Sequence, residues 1–313
     1  MNDTDRTMHA MRASNSDPAS LTSESIPVPD PGPGELLVEV HGTAVTAGEL
    51  SWPESWPVIP CHDLSGVVTA AGDGVHGWRS GDEVYGLVGF DRPGAAAEYV
   101  TAPAADLAPK PASVDHLAAA AVPLGALTAW QALHEHAQVA AGQHVLVHGG
   151  AGGVGAYAVQ LAALAGARVT ATASARDLAF VAGLGARDVL DYSGRFEDHV
   201  RDVDIVIDPV GGATTVRSWP VIRGGGTLVA IAEEPDPGQG GRGDVRGVYF
   251  VVRPDGHQLR ELAVLVEKQQ LRPAVSAVFD LAALPAAFQA QRAARPPGKV
   301  IISVSRTTRD DRT

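Results

Sequence analysis

The 313-residue chain holds a single cysteine, Cys61, and aromatic residues make up only 5% of it. One cysteine excludes an internal disulfide framework and any Cys-rich zinc or iron–sulfur centre. Positive charge is scarce too: 24 Lys and Arg stand against 36 Asp and Glu, a formal net charge of −12. Such a chain repels polyanions, so no nucleic-acid partner is expected. Long apolar runs are missing. The most apolar stretch, Leu117 to Trp130, is Ala-rich, contains Pro123 and Gly125, and falls short of the roughly 20 residues that cross a bilayer. The N-terminus, Met1-Asn-Asp-Thr-Asp-Arg, lacks the charged-then-apolar order of a secretory signal. A cytoplasmic protein without a membrane partner is the expectation.

Glycine (35) and proline (22), by contrast, are plentiful. They cut residues 35–109 into short strands such as Leu36–Val40, Gly66–Ala70, Glu83–Val88 and Ala97–Val100, a spacing that suggests a barrel or sandwich. From about Val114 helical runs alternate with the apolar segments His144–His148, Arg168–Thr172, Asp188–Asp191, Asp204–Asp208, Thr227–Ile231 and Val248–Val252. That βαβ rhythm implies a parallel sheet covered on both faces by helices. After Arg272 strand texture returns, ending at Lys299–Val304. The length fits two domains. The expected fold is α/β, a β domain of residues 11–122 plus 273–304 interrupted by a doubly wound domain of residues 123–272. Residues 1–10 and 305–313 read as flexible tails.

The richest motif follows the first apolar strand of that second region: Val147-His-Gly-Gly-Ala-Gly-Gly-Val-Gly155. Gly150, Gly152 and Gly155 form G-x-G-x-x-G between a strand and a helix. The first permits a tight turn, the second admits a pyrophosphate against the backbone, and the third allows close helix–strand packing. Gly153 and Val154 complete a helix N-terminus whose free N–H groups suit phosphate. A phosphate-loop reading fails because Ala156 stands where lysine is required. At the tip of the next strand an NAD binder places an acid for the ribose hydroxyls. Here that tip reads Thr172-Ala-Ser174-Ala-Arg176, and a hydroxyl with a guanidinium suits a 2′-phosphate. Ser174 with Asp177 is equally a helix capping pattern.

Taken together, Pro60-Cys-His-Asp-Leu-Ser-Gly, Gly81-Asp-Glu-Val-Tyr-Gly, Leu127-Thr-Ala-Trp-Gln-Ala-Leu, the glycine turn, Leu184-Gly-Ala-Arg-Asp-Val-Leu-Asp-Tyr and Gly298-Lys-Val resemble the medium-chain dehydrogenase/reductase superfamily. Within it the chain resembles the zinc-free, NADPH-dependent quinone oxidoreductase branch. The resemblance implies a GroES-like β-barrel domain, a Rossmann domain, a cleft between them, NADPH as cofactor, a small-molecule hydride acceptor and a homodimer. It implies cofactor contacts at Thr128, Tyr192, Val210, Ile231, Ala232, Phe250 and Val251, beside Ser174 and Arg176. Thr128 could equally bond its own helix backbone, and Tyr192 could be a strand-end aromatic. Residues 233–246, polar and rich in Gly and Pro, fit either a lid or an inert surface loop.

Zinc-dependent relatives hold their catalytic metal at positions that fall here on Thr46, His62 and Leu124. One imidazole cannot replace three protein ligands, so no metal is expected. Without a Lewis acid a simple carbonyl is hard to reduce. A conjugated quinone or enone delocalises the charge, and hydrogen-bond donors suffice. The resemblance puts Thr46, Glu49 and His62 at the catalytic centre and Trp52 at the substrate pocket. Each has a bland alternative: a strand threonine, a structural carboxylate, a core imidazole, a packing indole. Lys299 reaches the site or is solvated. Cys61, where relatives usually have glycine, reads as a small buried residue. The alternative functions are a dedicated enoyl reductase of a biosynthetic pathway and a non-catalytic NADPH-binding regulatory protein.

Overall fold

A computed structural model describes residues 6–236, 238, 243–294 and 297–304. In chain order its strands are β1 (Thr7–Arg12), β2 (Thr22–Pro27), β3 (Glu35–Val45), β4 (Asp63–Ala71), β5 (Glu83–Leu87), β6 (Tyr99–Pro103), β7 (Leu107–Pro109), β8 (His144–Val147), β9 (Arg168–Ala173), β10 (Asp188–Asp191), β11 (Val203–Asp208), β12 (Ile222–Ala230), β13 (Arg246–Tyr249), β14 (Val275–Asp280) and β15 (Lys299–Ser303). The α-helices are α1 (His116–Ala120), α2 (Pro123–Trp130), α3 (Gly155–Leu164), α4 (Leu178–Gly183), α5 (Ala213–Ser218), α6 (Gly256–Glu267) and α7 (Leu284–Ala294). The chain divides into two compact units: Met1–Pro123 with Pro254–Glu267 and Val275–Thr313, and Leu124–Arg253 with Lys268–Ala274.

In the first unit a seven-stranded sheet runs β14-β15-β3-β4-β5-β7, with β6 paired to the other part of β3. The eleven-residue β3 is long enough to serve both partners, β6 along Glu35–Glu39 and β15 along Gly42–Val45. Its inward residues Leu36, Val38, Val40 and Val45 join Leu64, Val68, Val84, Leu107, Val300 and Ile302 in one core. The second unit is a six-stranded sheet in the order β10-β9-β8-β11-β12-β13, parallel throughout. Numbered within this unit the order is 3-2-1-4-5-6, that of a doubly wound dinucleotide fold. Its central strands are buried on both faces, as a sheet sandwiched by helices requires. Among the described residues no helix is long and apolar enough to cross a membrane.

Four expectations are corrected. Residues 7–10 are not a tail: β1 alternates outward and inward, Met8 and Ala10 are buried, and β2 pairs with it along its length. The rest of that extension up to residue 5, and residues 305–313, lie outside the described residues, as do 237 and 239–242 of the 233–246 loop. Helix α6 clusters with the β unit instead of the parallel sheet. It packs on β7, and the Tyr85 hydroxyl donates to Leu259 O at 2.5 Å. The last parallel strand ends at Tyr249, so Phe250–Val252 lie beyond it. Cys61 and His62 precede β4, and Cys61 takes a left-handed φ of 68°, which explains why glycine suits that position.

The α6 docking generates a test. A Cβ on buried Gly256 would stand 2.4 Å from Ala105 O and 2.5 Å from Leu107 O. Gly256→Ala is expected to cost about 1–3 kcal/mol by overpacking, read as a lower denaturant midpoint at unchanged slope.

Candidate active site

In the parallel-sheet unit the expected cofactor residues converge on one edge. The glycine turn follows β8, Ser174 and Arg176 follow β9, and Tyr192 follows β10. Val210 follows β11, Ile231 and Ala232 follow β12, and Phe250 and Val251 follow β13. This carboxyl edge is where open α/β sheets bind ligands. Gly149 has φ 59°, and a Cβ there would meet the Val210 side chain at 3.2 Å, so the β8 and β11 turns lie side by side. A Cβ on Gly155 would stand 2.1 Å from Gly149 O, and one on Gly150 would meet both Ala171 and Val181 at 3.0 Å. Gly152 is opener, with only Gly149 O near. Gly149 N–H donates to Thr172 Oγ1, Gly150 N–H to Thr172 O and Gly152 N–H to Gly149 O. Among the described residues the N–H groups of Ala151, Gly153, Val154 and Gly155 have no acceptor. Four amides converging at a helix start fit the pyrophosphate of a dinucleotide.

Beside this turn a hydrogen-bonded chain crosses the sheet. Ser218 Oγ donates its one hydrogen to Thr214 O, so His148 Nε2 must carry a proton to bond Ser218 Oγ at 2.9 Å. His148 Nδ1 then accepts from Thr172 Oγ1, 3.1 Å away, the same hydroxyl that receives Gly149 N–H. Burial pushes the His148 pKa down to about 4, against a smaller upward pull from Asp208 and alongside a downward push from Arg217. The glycine turn therefore hangs from a neutral imidazole.

Three residues expected at the cofactor also have partners within the chain. Thr128 is buried and its hydroxyl donates to Leu124 O at 2.6 Å, the backbone bond of a helical threonine. Ser174 does not cap with its side chain; its hydroxyl donates to Asp177 Oδ2 at 2.5 Å. Arg176 reaches the same carboxylate from 3.5 Å while its side chain stays 59% exposed. Gly125, which no motif marks, belongs to the site as well: a Cβ there would stand 2.1 Å from Gly153 O, so that α2 backs directly onto the glycine turn. Its signal was present, a glycine inside an otherwise Ala-rich helix.

In the β unit a buried polar cluster forms where β3, β4 and β15 come together. Both Glu49 oxygens accept backbone N–H groups, from Thr46 at 2.7 Å and Cys61 at 2.5 Å. Burial raises its pKa to about 7 against the lowering effect of those bonds. Glu49 thus ties two loops together. Lys299 is not solvated: its Nζ lies 2.9 Å from Asp63 Oδ2 and donates to Thr46 Oγ1 at 2.8 Å. Lys299 and Asp63 are both buried. Asp63 escaped the sequence reading because a lone acid opening a strand carries no motif of its own. His62 Nδ1 donates to Val88 O at 3.1 Å, and burial lowers its pKa, so the ring is neutral with Nε2 unprotonated. Phe90 meets the His62 ring edge-on at 5.0 Å and the half-exposed Trp52 at 5.4 Å, an aromatic wall. Burial raises the Cys61 thiol well above its usual range, which disfavours the thiolate.

Residues 32–112 match the family model of the alcohol dehydrogenase GroES-like domain, and residues 184–302 that of zinc-binding dehydrogenase. The chain is 32% identical over 310 residues to the probable mitochondrial zinc-binding oxidoreductase of Arthroderma benhamiae, an alignment spanning 91% of this chain and 93% of that protein. It is 31% identical over 297 residues to the chloroplastic NADPH-dependent alkenal/one oxidoreductase of Arabidopsis thaliana, spanning 89% and 74%. Among solved structures, the quinone oxidoreductase of Coxiella burnetii matches at a TM-score of 0.90 and 29% identity, over 96% of this chain and all of that one. The fold and these relatives define an oxidoreductase. The chain belongs to the medium-chain dehydrogenase/reductase superfamily, in its quinone oxidoreductase-like branch.

Two of those descriptions carry a metal, so the donor set matters. Thr46 offers a hydroxyl that already accepts from an ammonium, and Leu124 an alkyl chain; only His62 keeps a free nitrogen lone pair. Among the described residues no three His, Cys, Asp or Glu side chains are grouped to hold a metal ion. A catalytic zinc takes three protein ligands. These residues do not fit one.

The buried imidazole predicts an acid limit to stability. In the unfolded chain His148 protonates near pH 6.5 and in the fold only near 4. Its contribution is therefore complete above pH 6.5 and lost as pH falls through 4, up to about 3 kcal/mol. In His148→Gln this part of the slope is expected to vanish, read from denaturant melts between those pH values.

Proposed function

We propose that this oxidoreductase transfers hydride from NADPH to a quinone or conjugated enone without a metal. The observation that carries the acceptor class is the donor set at Thr46 and His62 in the β unit. It leaves the Thr46 hydroxyl as the hydrogen-bond donor where zinc-dependent relatives have ligands, and such a donor suffices only when charge is spread over a conjugated system. The names of the Arabidopsis and Coxiella relatives point to the same acceptors.

NADPH, when bound, supplies the hydride; the chain's own residues supply binding and order. The amides of Ala151, Gly153, Val154 and Gly155 would hold the pyrophosphate. Arg176 would take the 2′-phosphate, with Tyr192 next to it, since Tyr192 N–H bonds Ala173 O at the end of β9. Ser174 can donate to that phosphate only after releasing Asp177. Arg176 therefore carries most of the discrimination. The Trp52–Phe90–His62 wall would present an apolar face to a planar acceptor.

Purified protein is expected to oxidise NADPH in the presence of quinones or enones, with chelator in the assay. No turnover across a panel of quinones, enones and enoyl thioesters, or turnover abolished by the chelator, would refute the reading. Arg176→Ala is expected to lower the NADPH-to-NADH ratio of kcat/KM by about 10- to 100-fold, the scale of a charged hydrogen bond. An unchanged ratio would move the phosphate contact elsewhere.

A further inference from the structure

Hydride addition leaves negative charge on the acceptor oxygen, and a proton must meet it. Two titratable groups at the site, His62 and Glu49, are poorly placed to give it directly. His62 is neutral and has given its one N–H to Val88 O. Glu49 has both oxygens engaged by backbone N–H groups, which makes it an acceptor and a brace. The hydroxyl of Thr46 stands differently. An ammonium group only donates, so the 2.8 Å bond from Lys299 Nζ obliges Thr46 Oγ1 to accept. Thr46 must then direct its own hydrogen elsewhere, and among the described residues no acceptor receives it. Thr46 is half-buried, whereas Lys299 and Asp63 behind it are buried.

We propose that Thr46 is the proton donor to the acceptor oxygen and that Lys299, held by Asp63, is the positioning residue that loads it. The proposal rests on the reductase reading above. As hydride arrives at carbon, the π electrons of the acceptor move to its oxygen. The Thr46 O–H bond breaks and a new O–H bond forms on the acceptor. Thr46 oxygen takes a proton from Lys299 Nζ, and the neutral amine left behind is reprotonated by solvent water after product departs. Asp63 matters before and after: its Oδ2, 2.9 Å from Nζ, holds the Lys299 side chain against the hydroxyl. The bond from an ionised donor also polarises the hydroxyl and strengthens what Thr46 offers. Lys299 is one of only three lysines in the chain, beside Lys110 and Lys268.

Thr46→Val keeps size and removes the donor. Loss of one oxyanion donor typically costs about 100- to 1000-fold in kcat, and that loss is expected with NADPH affinity, followed by its fluorescence, unchanged. Thr46→Ser restores the hydroxyl and is expected to recover most of the rate. Lys299→Met alone would take the ammonium from beside the buried Asp63, so Lys299→Met is paired with Asp63→Asn. This pair is expected to slow wild type, yet to add nothing to Thr46→Val, because the ammonium acts only through the hydroxyl. Additive losses, or a Thr46→Val enzyme with wild-type kcat, would overturn the relay while leaving the reductase reading intact.

A second measurement needs no turnover. p-Nitrophenol, titrated with the protein in the absence of cofactor, mimics the oxygen that gathers charge. Wild type is expected to lower its apparent pKa, seen as phenolate absorbance at lower pH, and Thr46→Val to abolish the shift. Equal titrations in both proteins, or no binding of the phenolate by wild type, would overturn the proposal even if no acceptor were ever reduced.

Discussion

One ammonium group held out of water organises the chemical end of the β unit. Lys299 opens β15, Asp63 opens β4 and Thr46 follows β3, three neighbouring strands whose ends are pinned by a single charge. A buried charge is tolerable only with its partner, and stripping either one leaves an uncompensated ion costing several kcal/mol. The strands therefore cannot slide without exposing that penalty. Glu49 completes the arrangement from the other side, clasping the backbone after β3 to the backbone before β4. A left-handed Cys61 presents its N–H to that carboxylate.

The parallel sheet solves the opposite problem, and behind its glycine turn it does so with neutral groups. Its ligand edge must leave amides unsatisfied, so the turn that bears them has to be held from behind. Gly149 hangs on Thr172, Thr172 on His148 and His148 on Ser218, a neutral chain running across the sheet to α5. Gly155 and Gly125 remove the side chains that would keep α3 and α2 from the turn. Rigid support behind and open N–H groups in front are two sides of one design.

The doubly wound order and the glycine turn were legible because periodicity and spacing are local properties. The strands Asp188–Asp191 and Arg168–Ala173 fall where apolar runs placed them. What escaped was decided by partners distant in sequence. Asp63 means little until Lys299, more than two hundred residues later, comes to meet it. Helix α6 has the amphipathic pattern of a crossover helix, and only the carbonyls of Ala105 and Leu107 against Gly256 show which unit it serves. The strand at Thr7–Arg12 was hidden by the polar residues before it. Thr128 and Ser174 were singled out by position, and their hydroxyl hydrogens are committed to Leu124 O and Asp177. Rotamers of short polar side chains are set by neighbours that no spacing rule contains.

The interleaving of the chain has a consequence of its own. Neither compact unit is a continuous stretch: the parallel-sheet unit takes back Lys268–Ala274 after α6, and the β unit is gathered from three segments. Two buried glutamines seal the parallel-sheet unit. Gln131 clasps both backbone groups of Arg253, and Gln160 those of Arg272. No single pair of cuts in the gene would release that unit entire, because a fragment ending at Arg253 leaves the Gln160 amide without its mate. Exchanging either unit for that of a relative therefore takes joints near Pro123, Arg253, Glu267 and Ala274 at once.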